Sequence, residues 1–265
     1  MTLGVIISTY NNPEWLEKTL WGYMCQSRPA DEIVIADDGS RDDTRRLIER
    51  YSDRLPLRHV WHEDDGFRKT KILNEALRVA QSDYLVFTDQ DCVPRRDFLA
   101  VHTAAAEPGR FLSGGAFRLP MDISRLMSRD DIESGRAFDL TWLRANGLPL
   151  SFKCTKLVQK PWFSRLMNTV TPAGATWNGG NASTWRELLL AARGFDERLR
   201  YGGEDRELGE RLVNAGVRGK QVRYSAVILH LDHGRPYVNQ EAIEANNAIR
   251  RETRARGITV TEHGL

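Results

Sequence analysis

Asp89 and Asp91 stand one residue apart at the end of the run Tyr84-Leu-Val-Phe-Thr-Asp-Gln-Asp-Cys-Val-Pro94. Alternate residues of an extended segment share a face, so this D-x-D can aim two carboxylates at one spot. Oxygen ligands of this kind suit a hard divalent ion, Mg²⁺ or Mn²⁺, which can bridge the two phosphates of a nucleotide. Taken alone, the pair is also what two exposed loop acids look like. A second acidic pair, Glu204-Asp205, follows Tyr201-Gly-Gly and falls in the first turn of a helix expected to run through Leu208, Leu212 and Val213 to Gly216. Acids in that position are stabilised by the helix dipole by roughly 0.3–1 kcal/mol, whatever else they do.

These residues need a frame. Tyr84 to Thr88, rich in β-branched and aromatic side chains, reads as a buried strand, and the rim beyond the carboxyl ends of such strands is where an open α/β sheet binds ligands. Upstream, Leu3 to Ser8 and Ile33 to Ala36 are further buried strands, and Leu57 to Trp61 is another. Asn12-Pro13 is a helix start with Asn as cap and Pro at the first helical position, and Ser40 with Asp43 resembles a capping arrangement for the next helix. A third helix carries Ile72, Leu73, Ala76, Leu77 and Ala80. Strand and helix in this alternation mean right-handed βαβ units and a mostly parallel sheet flanked by helices. The loop Ser8-Thr-Tyr-Asn-Asn12 has no glycine-rich phosphate cradle, so phosphate charge must be met by a metal at Asp89 and Asp91 or by Arg68 and Lys71.

Composition narrows the class. The 265 residues are 41% hydrophobic and 28% charged, and 38 basic against 36 acidic residues leave +2, no basis for a nucleic-acid-binding face. Cys25, Cys92 and Cys154 are too few and too scattered for a disulfide framework or a cysteine zinc site, which implies a reducing compartment. The first residues lack the charged start and long apolar core of a secretion signal, so the expectation is a cytoplasmic protein that meets a membrane only from the side.

The second half is less regular. A helix is expected near Arg95 to Glu107, an apolar segment from Phe111 to Phe117, and mixed helical spacing from Asp122 to about Asn146. Residues 151–167 carry four basic residues and no acid, with Trp162 and Phe163 among them. That combination suits either an anionic membrane surface or a packed flap whose aromatics are core. Thr176 to Ser183 reads as a turn cluster, Val222 to Leu229 as a last strand ending in His230-Leu-Asp-His233, and Asn239 to Arg256 as a solvent-facing helix with Ile243 and Ile249 inward.

The motifs S-T-Y-N after the first strand, D-D-G-S after the second, D-Q-D after the fourth and G-G-E-D opening a late helix resemble family 2 glycosyltransferases of the A-type fold, from Val5 to about His233. Asn178-Gly-Gly-Asn181, Arg193-Gly-Phe195 and Tyr201-Gly-Gly-Glu-Asp205 look like the carboxyl half of the β-1,4-galactosyltransferases. His62-Glu-Asp-Asp-Gly-Phe-Arg68 is more similar to bacterial polysaccharide and chondroitin-type polymerases. The resemblance implies one domain over 1–265: a nucleotide-sugar-binding half (1–118), a helical excursion or flap (119–172), an acceptor and catalytic half (173–235) and a C-terminal helix and tail (236–265).

It also implies roles. Thr9 and Asp38 would contact the base of a UDP-sugar, and Arg68 the nucleotide or its phosphates. Asp91 would be the principal ligand of Mn²⁺ or Mg²⁺, Asp89 would touch ribose or metal, and His230 would complete the shell, with His233 a competing ligand. Asp205 would be the general base, Glu204 would bind acceptor hydroxyls, and Tyr201 or Trp177 would offer a flat face to a sugar ring. The implied activity is inverting transfer of a hexose to a saccharide or glycolipid, in bacterial capsule or lipopolysaccharide synthesis. A sugar-1-phosphate nucleotidyltransferase is the alternative, although Ser8 to Asn12 lacks the glycine-rich basic loop it would want.

Overall fold

A computed structural model describes residues 1–234 and 238–265; the expected boundary between 235 and 236 lies outside the described residues. Its strands are β1 (Leu3–Thr9), β2 (Glu32–Asp37), β3 (Leu57–Trp61), β4 (Tyr84–Asp89), β5 (Cys92–Pro94), β6 (Arg110–Ser113), β7 (Gly115–Arg118), β8 (Ala182–Trp185), β9 (Arg218–Gln221) and β10 (Val227–His230). The apolar runs take the middle of the larger sheet because both their faces are covered, and every residue of β1 is buried. That sheet has the order β3-β2-β1-β4-β8-β6-β9, parallel except that β8 runs against both neighbours. A second sheet, β5-β10-β7, leans on it. The expected α/β architecture with a mostly parallel sheet holds.

Several local expectations change. Asn12 does cap the Pro13–Met24 helix, accepting from the Trp15 N–H. Ser40 caps nothing: the Asp42–Tyr51 helix starts after Arg41 without a side-chain cap, and Ser40 Oγ accepts from the Asn11 N–H at 2.8 Å, tying two rim loops together. The turn cluster ends in strand β8, whose Ser183 and Thr184 are fully buried. Its polar side chains hide it from hydrophobic patterning, yet each hydroxyl is satisfied, Thr184 by the Arg110 carbonyl at 2.9 Å. The last strand starts only at Val227, because Val222 to Ala226 forms a turn closed by Ser225 and Ala226 N–H groups on the Val222 carbonyl. In the Gln240–Ala255 helix Ile243 and Ile249 are half-buried, and the buried positions are the polar Asn246 and Thr253.

The short helices Met121–Leu126, Arg129–Glu133 and Leu140–Ala145 pack on the second sheet around Phe117, Phe138, Leu143 and Leu229. A buried chain of hydrogen bonds joins the two sheets. Asn181 Nδ2 donates to the carbonyls of Gly115 and Ala226, both at 3.0 Å, so its Oδ1 faces His102 Nε2 at 3.1 Å and must accept. His102 Nδ1 then accepts from Ser183 Oγ at 2.7 Å, and Ser183 from the Tyr84 hydroxyl at 2.9 Å. Every donor finds an acceptor only with a neutral imidazole. The Asn181 side chain fits because Gly114 has no Cβ, which would lie 1.9 Å from Asn181 Oδ1.

Burial lowers the His102 pKa from 6.5 to about 4. The unfolded chain therefore takes up this proton first, so the stability owed to the neutral ring is complete above pH 6.5 and lost as pH falls toward 4. The loss should reach roughly 3 kcal/mol, and urea unfolding at neutral and acid pH should show a shallower dependence in His102→Gln. Equal slopes in the two proteins would remove His102 as the titrating group.

Candidate active site

The rim loops after β1, β2 and β4 and the start of the Glu204–Asn214 helix meet at one place. Asp91 is buried, and its Oδ2 lies 2.8 Å from His233 Nε2 and 3.6 Å from His230 Nε2. The two imidazoles stack at 5.6 Å between centroids. His230 Nδ1 sits 2.9 Å from the Leu231 carbonyl, and His233 Nδ1 2.9 Å from the Gly234 carbonyl, so both Nδ1 atoms must be donors. In a neutral ring Nε2 then carries a lone pair, and two acceptors confront each other across Asp91 unless a proton or a metal ion stands between them. Burial pushes the Asp91 carboxyl up, but the hydrogen bond from His233 and the charges of both histidines outweigh it and hold it below the usual carboxylate range.

Carboxylate and imidazole with backbone-anchored Nδ1 form a donor set that fits Mn²⁺. The ligand atoms of Asp91, His230 and His233 lie within 4.8 Å of one another, as do those of Asp89, Asp91 and Cys92. The Cys92 thiol, raised by burial and by the Asp91 charge, stays protonated and donates to Asp91 Oδ1 at 3.4 Å. In that state it supports Asp91.

Asp89 faces Lys69. Its Oδ1 accepts from Lys69 Nζ at 2.6 Å and from Ser8 Oγ at 2.5 Å. Burial would lower the Lys69 ammonium, but Asp89, Glu204 and Asp205 together hold it above its usual range. Its charge is also felt by Asp38. Sequence patterning points to the neighbours Arg68 and Lys71 and does not single out Lys69. A signal was present: Lys69 opens a helix whose first turn holds no acid, where a cation is disfavoured by the dipole.

Asp205 joins the same rim through Gly179-Gly180. Its Oδ2 accepts from the Gly179 N–H at 2.8 Å and its Oδ1 from the Arg206 N–H at 2.7 Å. A Cβ on Gly179 would stand 3.6 Å from Lys69 Nζ, and one on Gly180 3.2 Å from Asp89 Oδ2. The backbone of these glycines thus lies against both acid pairs. Glu204 is buried and takes the Gly202 N–H at 2.9 Å; burial and the neighbouring Asp205 raise its carboxyl above the usual range, against the pull of Lys69.

Gly202 and Gly203, at φ 108° and 100°, occupy the left-handed region that disfavours a side chain, and a Cβ on Gly202 would come within 2.7 Å of Ile243. The loop is braced from behind by Asn246, whose Nδ2 donates to the carbonyls of Arg200 (2.9 Å), Tyr201 (3.2 Å) and Gly202 (3.2 Å). Tyr201 is half-buried, edge-on to Phe67 at 5.8 Å, so the loop before Arg68 touches the loop that leads into the helix carrying Asp205.

At the other end Asp38 accepts from His62 Nε2 at 2.8 Å and from the Arg68 N–H at 3.0 Å; burial raises its carboxyl, and the His62 bond opposes that. Arg68 is half-buried and pairs loosely with Asp65 at 3.7 Å. Thr9 is buried with its hydroxyl given to Gln90 Oε1 at 2.5 Å, so any contact from that side chain competes with the middle residue of the D-Q-D. Trp177 corrects an expectation. It is fully buried, packed on Phe87 at 5.4 Å and Phe111 at 6.0 Å, and presents no face to a sugar. Its apolar neighbours and the Cβ-free surface of Gly209 draw it into the core.

Residues 4–166 match the profile of Glycosyl transferase family 2. The chain is 31% identical over 234 residues to validoxylamine A glucosyltransferase of Streptomyces hygroscopicus subsp. limoneus, covering 81% of this chain and 48% of that protein. It thus spans about half the length of this curated relative. It shares the fold of TarS from S. aureus, solved as residues 1–349 in complex with UDP, at a TM-score of 0.65 and 18% identity over 97% of this chain and 68% of the other. It also resembles the mannosyltransferase PcManGT of Pyrobaculum calidifontis, solved with GDP-Man and Mn²⁺, at a TM-score of 0.59 and 24% identity over 89% and 58%.

The cluster around Asp91 predicts that Mn²⁺ stabilises the protein, by about 2.7 kcal/mol at a hundredfold excess over Kd. Thermal melts should show the rise in the parent protein and lose it in Asp91→Asn and in His230→Ala/His233→Ala. A full rise in Asp91→Asn would place the ion elsewhere.

Proposed function

The chain belongs to Glycosyl transferase family 2, and from that membership we propose that it is an inverting, metal-dependent glycosyltransferase. It moves a hexose from a UDP-sugar to a hydroxyl of a saccharide or glycolipid acceptor, in assembly of a bacterial cell-surface polysaccharide or lipopolysaccharide. The observation that carries this reading is the meeting of two acid pairs on one rim: Asp89 and Asp91 with their histidines, Glu204 and Asp205 beyond Lys69. The complexes of TarS with UDP and of PcManGT with GDP-Man and Mn²⁺ support a nucleotide-sugar donor. The family match speaks against the nucleotidyltransferase alternative.

In this reading Asp38, Thr9 and Arg68 hold the nucleotide, Asp38 through lone pairs left after His62 and the Arg68 N–H are served. Asp91, His230 and His233 hold the cation, with Asp89 beside it or on the ribose. When bound, the ion neutralises charge developing on the departing diphosphate. Lys69 keeps the acids from repelling one another and sets a fixed positive charge beside the phosphates. The acceptor hydroxyl, with a pKa far above neutrality, gives its proton to Asp205 as its oxygen bonds to C1 and the C1–O bond to the diphosphate breaks. The Gly179 and Arg206 N–H groups fix the Asp205 carboxylate and leave lone pairs on both oxygens for that proton. A base on the face opposite the leaving group inverts C1. Glu204 binds acceptor hydroxyls, and Tyr201 against Phe67 supplies the ring platform.

Asp205→Asn should leave UDP affinity in the presence of Mn²⁺ unchanged by calorimetry and lower UDP release from a panel of UDP-hexoses by at least about 100-fold. Near-normal turnover in that variant would remove Asp205 from the role.

A further inference from the structure

The Pro161–Val170 helix is fastened to the body by one side only. Asn168 Nδ2 donates to Ser225 Oγ at 2.9 Å, Asn168 Oδ1 accepts from the Tyr224 N–H at 2.8 Å, and Phe163 meets Tyr224 edge-on at 6.5 Å. Ser164 is its buried residue. The opposite side carries Trp162, Leu166 and Val170, four residues apart and therefore in one line, exposed by 64%, 50% and 57%. These are apolar side chains in water on a surface where the packed-flap reading expected core.

The segment's own charges are of one sign, and the nearby acid Asp97, which shares a groove with Pro161 and Arg165, is already paired with Arg95 at 2.6 Å. Residues 151–170 contain Lys153, Lys156, Lys160 and Arg165 and no acid. Lys156 is depressed by burial and by Arg223, Lys153 and Arg118, so two further cations, Arg118 and Arg223, stand near the segment. Interfaces between proteins are poor in lysine, whereas a Trp-bearing apolar stripe flanked by Lys and Arg is the pattern of a helix lying in the headgroup layer of an anionic bilayer. No helix of the described residues is long and apolar enough to cross a membrane.

We propose that the Pro161–Val170 helix is a membrane-docking element that inserts Trp162, Leu166 and Val170 among the lipids of an anionic bilayer, with Lys153, Lys160 and Arg165 on the headgroups. The attachment is independent of the transfer reaction proposed above. It would hold the catalytic rim near a lipid-linked acceptor.

The test is co-sedimentation of the full chain with mixed phosphatidylcholine–phosphatidylglycerol vesicles and with pure phosphatidylcholine vesicles. The expected result is binding to the mixed vesicles, weaker binding to the neutral ones, and loosening by salt. Trp162→Ser with Leu166→Ser should weaken binding at least about tenfold, and Lys160→Glu with Arg165→Glu should abolish the preference for anionic lipid, each with an unchanged circular dichroism spectrum. No binding to mixed vesicles, or equal binding by the Trp162/Leu166 variant, would overturn the proposal. So would a dimer in light scattering that the same variant dissolves, which would give the stripe to a second copy of the chain.

Discussion

Four carboxylates on one rim repel one another, and the site exists because that repulsion is met by named groups. Lys69 is the central one, bonded to Asp89 and held charged by Glu204 and Asp205 as well. Asp91 is answered by the two histidines, and Asp205 and Glu204 by backbone N–H groups of Gly179 and Gly202. A fixed ammonium among acids, itself largely withdrawn from water, does more than the same charge in bulk solvent. It lets the Asp89 pair and the Asp205 pair approach on one rim.

Holding those groups still is the work of polar contacts behind the rim. Asn181 anchors the Gly179-Gly180 backbone through His102 and two carbonyls, so the strip lying between the acid pairs is fixed to both sheets. Asn246 does the same for the loop before Glu204, and Thr253, one further buried position along the same helix, bonds Glu207 at 3.0 Å. The Glu207 carboxylate also meets the fully buried Arg211 at 2.9 Å, whose guanidinium caps the carbonyls of Ala192 and Gly194. Losing one member of that buried pair would leave an uncompensated charge, a cost of about 3–5 kcal/mol.

What the sequence disclosed follows from this division. Strands β1, β2 and β4 are legible as apolar runs, and the acids at their ends as members of one rim, because pattern and chemistry coincide there. Strand β8 is not, since its interior is Ser183 and Thr184, and their partners come from Tyr84, His102 and Arg110, far away in the chain. Trp177 was misplaced because an aromatic beside glycines looks the same whether it faces a sugar or Phe87. Lys69 is not distinguishable in sequence from Arg68 and Lys71, as helix phase decides which of three nearby cations reaches the acids. The paired histidines were both visible; that both point at Asp91 depends on a backbone turn no spacing rule encodes.

The central claim is that a cation is gripped by Asp91 and its histidines on the rim that Asp205 joins through Gly179-Gly180. Crystals grown with UDP and Mn²⁺, measured at the manganese absorption edge, test it most directly. The account predicts an anomalous peak bonded to Asp91 and to at least one of His230 and His233, with the UDP phosphates on its open side and Asp205 across the cavity. A peak remote from Asp91, or phosphates bound on the far side of the sheet from Asp205, would contradict it.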